Sequence, residues 1–360
     1  MAASAESMKK TTSTKPASRG TKRSPYILAI DVGYSSVKAA YGEAGKRPTQ
    51  LLRPANAGLK RLMPVSLSGI PDPDGTIVRV TLEDEEWVAF PKPGVLQATA
   101  RPLFSDYPFT PEYLVLFYGA LINTGRDVID LVVTGLPVDQ SQNPDVVEKL
   151  KARLKGKHKI TPKKTVEVKD VKIVAQPTGT YIHAIDSLRK DAVCQSIMAS
   201  GRVAVLDPGM FSTDWVLIQE NALRAASSGT SHQAMSVVYE GIHNEIADKY
   251  GVGPGPQKIE RAIQEGQTRV MVSGEWVDIA PMMSRVGGRV AGVALAEMRR
   301  DLRIDTEGGI DMFVITGGGA PVFKPVAEAA FPACKRVWVP ESAQMANALG
   351  YWGLANVTIR

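Results

Sequence analysis

Cysteine is scarce in this chain of 360 residues: Cys194 and Cys334 are the only two, far apart and without a CxxC pair. That excludes a disulfide framework and a zinc ribbon, and it fits a reducing cytoplasm. The four histidines, His158, His183, His232 and His243, show no HExxH or other ligand spacing, so no metalloenzyme is expected. The longest apolar run, Tyr113 to Ile122, falls well short of the roughly 20 residues that span a bilayer. The N-terminus also lacks the apolar core of a secretory signal. A soluble cytoplasmic protein with no membrane span is the expectation. A GxSxG elbow is missing, which removes Ser-His-Asp hydrolysis of that type. The P-loop is missing too: Gly42-Glu43-Ala44-Gly45-Lys46 has the wrong glycine spacing, and Arg47 stands where Ser or Thr should hold magnesium.

Acid is almost absent from the first 24 residues. Lys9, Lys10, Lys15, Arg19, Lys22 and Arg23 face Glu6 alone, so nearly all of the net charge of +6 sits there. A Ser/Thr/Ala/Lys-rich segment without apolar periodicity cannot bury enough surface to offset its ordering entropy, and 1–24 reads as a disordered basic tail. Its attraction for polyanions would be salt-sensitive and sequence-blind. No sequence-specific contact with nucleic acid is expected.

The remainder has ordinary globular composition and a recurring layout. Tyr26 to Ala40 reads as a buried strand, a glycine turn and a returning strand; Arg202 to Gln219 repeats it. Between them, Thr110-Pro111 opens an apolar helix to about Asn123, and Asp130 to Pro137 is a buried strand. A Lys-rich helix spans about 144–155. Val166 to Ala175 reads as one strand leading through Gln176-Pro177-Thr178-Gly179 into a helix from Tyr181 to Leu188. After the second hairpin come a helix from Ser236 to Tyr250, further helices to about Leu302, a strand from Met312 to Thr316 and a C-terminal helix from Glu341 to Leu354.

The hairpins carry the chemistry. An Asp at the end of a buried strand, followed by glycine, allows backbone N–H groups to approach phosphate oxygens while the carboxylate holds Mg or its waters. Asp31-Val32-Gly33 with Tyr34, Ser35, Ser36 and Lys38 makes one such loop; Asp207-Pro208-Gly209 with Ser212, Thr213 and Asp214 makes another. Two facing hairpins can clamp a polyphosphate, and Gly317, Gly318 and Gly319 after a strand permit close approach of a nucleoside.

In that order, AIDVGYSSVK, AQPTGTYIHA, VLDPGMFSTDW, VITGGGAP and QMANALGYW resemble the five nucleotide-site motifs of the actin, sugar-kinase and heat-shock-chaperone ATPase superfamily. VVTGLPVD is similar to the corresponding loop of its ParM-like bacterial and archaeal branch. The resemblance covers Tyr26 to Leu354. It implies an α/β, actin-like (ribonuclease H-like) fold of two duplicated domains with a central nucleotide cleft. The first domain would be 25–178, with an inserted subdomain at about 42–108, completed by 340–360. The second would be 179–339, with an insert at about 225–305.

What the resemblance implies for function is an ATPase that binds Mg-ATP, with GTP possible, and assembles into nucleotide-dependent filaments. These would serve plasmid segregation through a DNA-binding adaptor. Asp31 and Asp207 would hold Mg through water, and Asp207 and Gln176 would orient the attacking water. Gly33, Tyr34, Ser35, Ser36, Lys38, Gly209, Thr213 and Asp214 would bind phosphates, with Gly317 to Gly319 against the nucleoside. The alternative is a small-molecule kinase of the same superfamily. Gln176, where such a kinase needs an acid, argues against it, and a chaperone ATPase would call for a substrate-binding domain after Leu354.

Overall fold

All seven residues of Tyr26–Val32 (β1) are buried, and a strand sealed on both faces must run inside a sheet with layers on either side. The computed structural model describes residues 23–65, 75–97 and 105–359; residues 1–22 of the expected basic tail lie outside the described residues. β1 pairs antiparallel with β2 (Ser36–Glu43), and β2 with β3 (Thr49–Pro54). On its other side β1 runs parallel to β4 (Leu131–Leu136), which runs parallel to β5 (Val171–Ala175). The order is β5-β4-β1-β2-β3.

A second sheet repeats the central motif. β6 (Arg202–Pro208) pairs antiparallel with β7 (Thr213–Gln219) and parallel with β8 (Met312–Ile315). Short strands at Ala222–Leu223 and Val337–Trp338 close its edges, and Gly229–Ser231 pairs with β7. Both expected hairpins therefore form.

Helices cover the sheets. α1 (Pro111–Thr124) starts where the sequence places it: the Thr110 hydroxyl oxygen accepts from the Tyr113 amide, and Gly125 ends the helix at φ 67°. Its fully buried Phe117 and Leu121 share a core with Leu28 and Ile30 of β1. Each such side chain contributes roughly 1.5–3 kcal/mol. α2 (Gln176–Ser187) begins at Gln176 itself rather than near Tyr181, because Pro177 suits a first helical turn that needs no amide donor. α3 (Met235–Tyr250), α4 (Pro256–Gln264) and α5 (Ala280–Asp301) belong to the second half, and α6 (Ala346–Thr358) is the C-terminal helix. α6 returns to the first half and crosses α2 at backbone contact. A Cβ on Gly350 would overlap the Gly179 carbonyl oxygen, so the crossing needs glycine.

Three local expectations differ from the structure. Val166–Ala175 is not one strand: Lys164–Val168 joins a small sheet with Gly156–Thr161 and Val128–Ile129, and the polar pair Lys169-Asp170 separates it from β5. β3 falls within the stretch read as an insert from 42, yet it extends the main sheet; Ala57–Leu59, Val78–Leu82 and Glu85–Ala89 form the separate small sheet. Within the stretch read as helices to Leu302, Arg269–Val272 and Glu275–Asp278 form a hairpin. Its Ser273 and Gly274 turn at φ 47° and 88°, as two-residue hairpin loops require.

Asp130 ties the start of β1 down. Its carboxylate accepts from the Tyr26 amide (2.7 Å), Lys169 Nζ (2.6 Å) and Arg23 (3.0 Å). Partial burial works to raise its pKa, but these three donors hold it below the usual carboxylate value. A depressed pKa stabilises the fold above the unfolded value of about 3.9, and the gain is lost as pH falls through the folded value. Asp130→Asn should therefore cost roughly 1 kcal/mol at pH 7. Urea unfolding should show that difference shrinking toward zero near about pH 3. Among the described residues no helix is long and apolar enough to cross a membrane.

Candidate nucleotide-binding site

The two hairpins close alike. The Gly33 amide donates to the Ser36 carbonyl at 3.2 Å, and the Gly209 amide to the Ser212 carbonyl at 2.8 Å. Strand register sets Asp31 opposite Lys38 in the first and Asp207 opposite Asp214 in the second. The backbones are equivalent while the chemistry differs: the position that holds an ammonium in one hairpin holds a carboxylate in the other.

Asp31, Gly33, Tyr34, Ser35, Ser36, Lys38, Gln176, Asp207, Gly209, Asp214, Gly317 and Gly318 line one cleft. Lys38 Nζ lies 3.1 Å from Asp31 Oδ2, and Gly33 leaves room for it, since a Cβ there would stand 2.9 Å from the ammonium. Gln176 Nε2 donates to Asp31 Oδ1 at 3.4 Å, which brings the first residue of α2 to the end of β1.

Asp207 faces the same space from the other half. Burial, and then the charge of Asp31, push its carboxyl up to about 7, against the pull of Lys38 and an Asn347 hydrogen bond. Gly317, at φ 75°, lies so close that a Cβ would collide with Asp207 Oδ1. Two carboxylates that repel each other across a cleft suit a divalent cation, and magnesium takes one or two carboxylates and keeps its waters. The donor set fits that ion. Among the described residues no three His, Cys, Asp or Glu side chains gather to hold a metal by themselves.

Three expected residues do something else. Thr213 is fully buried, and its hydroxyl donates to the Gln233 carbonyl at 2.7 Å, away from the cleft; Ser212, its neighbour, lines the cleft instead. Asp214 lines the cleft, but its oxygens accept from Ser212 Oγ (2.6 Å), Thr230 Oγ1 (2.6 Å) and the Val138 amide (3.0 Å). Burial raises its pKa even against those bonds, and it braces the second turn onto the helix at Val138–Ser141. The Gly319 amide donates to the Pro208 carbonyl at 2.9 Å, which fixes the glycine loop to the hairpin rather than to a ligand.

Tyr107 and Phe211 also line the cleft and have no short-range signal in the sequence. Tyr34 stacks on Phe211 across the cleft at 4.6 Å and on Tyr107 at 4.3 Å, and Phe211 meets His232 edge-on at 5.1 Å. Ser35 Oγ donates to Glu260 Oε1 on α4 at 2.6 Å, a partner 225 residues away. Glu260 is fully buried and also accepts from Gln264 Nε2 at 3.1 Å. A neighbouring recess shares Ser35, Ser36, Tyr239 and Gly318 with the first, and adds Leu52, Arg53, Pro54, Ile263, Gln264 and Gln344. The pair of recesses offers carboxylates and an ammonium at one end, and apolar side chains, the Tyr239 ring, two amide side chains and Arg53 at the other.

Comparison with known proteins agrees with this geometry. A family model described as the N-terminal domain of actin-like proteins matches residues 29–179. A second, the C-terminal domain of the archaeal MreB-like actin homologue, matches 205–328. No curated protein matches the chain by sequence. Among solved structures, the archaeal actin homologue Ta0583 is 16% identical with a TM-score of 0.69, over 92% of this chain and 99% of its own. Its complex with ADP gives 17% and 0.68 over the same shares. A subunit of a 15-stranded ParM filament from Clostridium botulinum is 16% identical with a TM-score of 0.70, over 93% of this chain and 99% of its own. With actin-like family models matching both of its halves, the chain belongs to the actin-like proteins, and it shares one fold with Ta0583 and the ParM filament subunit.

Proposed function

We propose that this protein is an ATPase that binds Mg-ATP between its two halves and assembles into nucleotide-dependent filaments. The observation that carries the reading is the pair of equivalent hairpins, which sets Asp31 and Asp207 on opposite walls of one cleft. The phosphates would lie between the turns at Gly33 and Gly209, with Lys38 and the Ser36 hydroxyl as donors. Ser35 would exchange its Glu260 partner for a phosphate oxygen, since a hydroxyl has one proton to give. Glu260, which accepts a hydroxyl proton here, is suited to the hydroxyls of a ribose, and Tyr239 and Ile263 to the face of a base. Asp31 and Asp207 would hold magnesium through its waters, and the bound ion would offset charge on the phosphates. Gln176 would polarise the attacking water and Asp207 would orient it, so that catalysis is mostly positioning.

Filament formation draws support from the ParM filament that shares the fold. A subunit that repeats by a head-to-tail contact that does not close builds a filament. Plasmid segregation through a DNA-binding adaptor in the cytoplasm follows the ParM resemblance. Electron microscopy and pelleting of the purified protein test the reading: filaments with Mg-ATP and none without nucleotide are expected. A protein that stays monomeric with Mg-ATP at tens of micromolar (roughly, as an assay condition) would contradict it.

A further inference from the structure

The two residues assigned to the attacking water, Gln176 and Asp207, come from different halves of the molecule, yet both are held by one face of α6. Asn347 and Tyr351 are spaced i, i+4 and therefore lie one above the other on that face. Asn347 Nδ2 donates to Asp207 Oδ2 at 2.6 Å. Its Oδ1 accepts two bonds from Thr180 on α2, one from the backbone amide at 3.1 Å and one from the hydroxyl at 2.9 Å. Two donors on one atom fix which end of the amide is oxygen, so the N–H end must face Asp207. Tyr351 donates its hydroxyl to the backbone carbonyl of Gln176 at 3.3 Å, which fixes the residue where its side chain leaves the first turn of α2. Asn347, Thr180 and Tyr351 are all buried, and α2 and α6 touch backbone to backbone at Gly179 and Gly350. A side chain held at such a crossing has little room to shift.

We propose that Asn347 and Tyr351 are positioning residues for hydrolysis, which align Asp207 and Gln176 with each other through the α2–α6 crossing. This rests on the ATPase reading given above. The hydrogen bond from Asn347 selects one orientation of the Asp207 carboxylate. Its anchorage on Thr180 ties that orientation to the α2–α6 crossing.

The test uses the full chain with Mg-ATP: single-turnover phosphate release, equilibrium binding of a fluorescent ATP analogue, and thermal melting of each variant. Asn347→Asp keeps an acceptor for Thr180 and replaces the amide donor to Asp207 with a carboxyl that repels it or shares its proton. Its turnover should fall about 100-fold, the effect of a displacement of about 1 Å, while affinity stays within about 3-fold. Tyr351→Phe and Thr180→Val, each the loss of one hydroxyl, should lower turnover about 5-fold with the same affinity. Turnover in Asn347→Asp equal to wild type, or affinity and turnover falling together, would overturn the proposal. Where Asn347→Asp fails to fold, wild-type turnover in both hydroxyl variants overturns it. A wild-type chain that binds no ATP or turns none over overturns the ATPase reading itself, and this proposal with it.

Discussion

Asp207→Ala should leave ATP bound and all but stop phosphate release, with a loss of about 100-fold or more in single-turnover rate. Binding survives because the first hairpin, with Lys38 and its glycine turn, is untouched, and the Gly317 loop is anchored to the Pro208 carbonyl through Gly319 rather than to the Asp207 side chain. Turnover fails because nothing else on the β6–β7 wall can replace the carboxylate: Asp214 is spent on Ser212, Thr230 and Val138. Removing Asp207 also relieves its repulsion with Asp31. It also leaves the buried Asn347 amide without its acceptor, so a thermal melt of the variant is what separates a chemical defect from a folding one. Undiminished steady-state phosphate release in Asp207→Ala would show that this residue does not act in hydrolysis.

The second large effect is on the fold. Gly350→Ala should remove about 3 kcal/mol or more of stability, or yield insoluble protein, because a Cβ at this position meets the Gly179 backbone, which no side-chain rotation can relieve. Helix propensity works the other way, since Ala is favoured over Gly by about 1 kcal/mol inside a helix. The comparison that decides is with Gly288 and Gly292 on α5, where an added methyl group would meet nothing within 4 Å. Gly288→Ala and Gly292→Ala should raise stability by about 0.5–1 kcal/mol in urea unfolding, because only the propensity difference remains. A Gly350→Ala protein as stable as those two would mean that α2 and α6 are free to separate.

The two hairpins could be read from the sequence because each writes its structure locally: an apolar strand, an Asp-x-Gly turn and a second apolar strand. The helix starting at Thr110-Pro111 carries its own cap and was legible for the same reason. The features that escaped depend on distant partners. Nothing near Ser35 announces Glu260, and nothing near Tyr34 announces Phe211, because the fold alone brings them together across the cleft. Thr213 and Ser212 look interchangeable as phosphate donors in a sequence. Thr213 opens β7 and sends its hydroxyl to Gln233, while Ser212, just before the strand, lines the cleft with its hydroxyl on Asp214. The hairpin at Arg269–Asp278 was lost for a third reason: strands of four residues are too short to show a period against helices on both sides. Asn347 sits within a motif that resembles the second connecting helix of the superfamily. Its role became visible only once Thr180 and Asp207 were placed at its two ends.

The α2–α6 crossing and the paired carboxylates thus describe one device. The sheets hold Asp31 and Asp207 at strand ends, and the crossing aligns Asp207 with Gln176. Direct titration of ATP into the purified chain by calorimetry, with magnesium and again after chelation, tests the cleft itself. Saturable one-to-one binding in the micromolar range, roughly −8 kcal/mol, is expected with magnesium and should weaken at least about tenfold without it. Absence of saturable binding up to about 1 mM ATP with magnesium present would contradict a Mg-ATP site between Asp31 and Asp207.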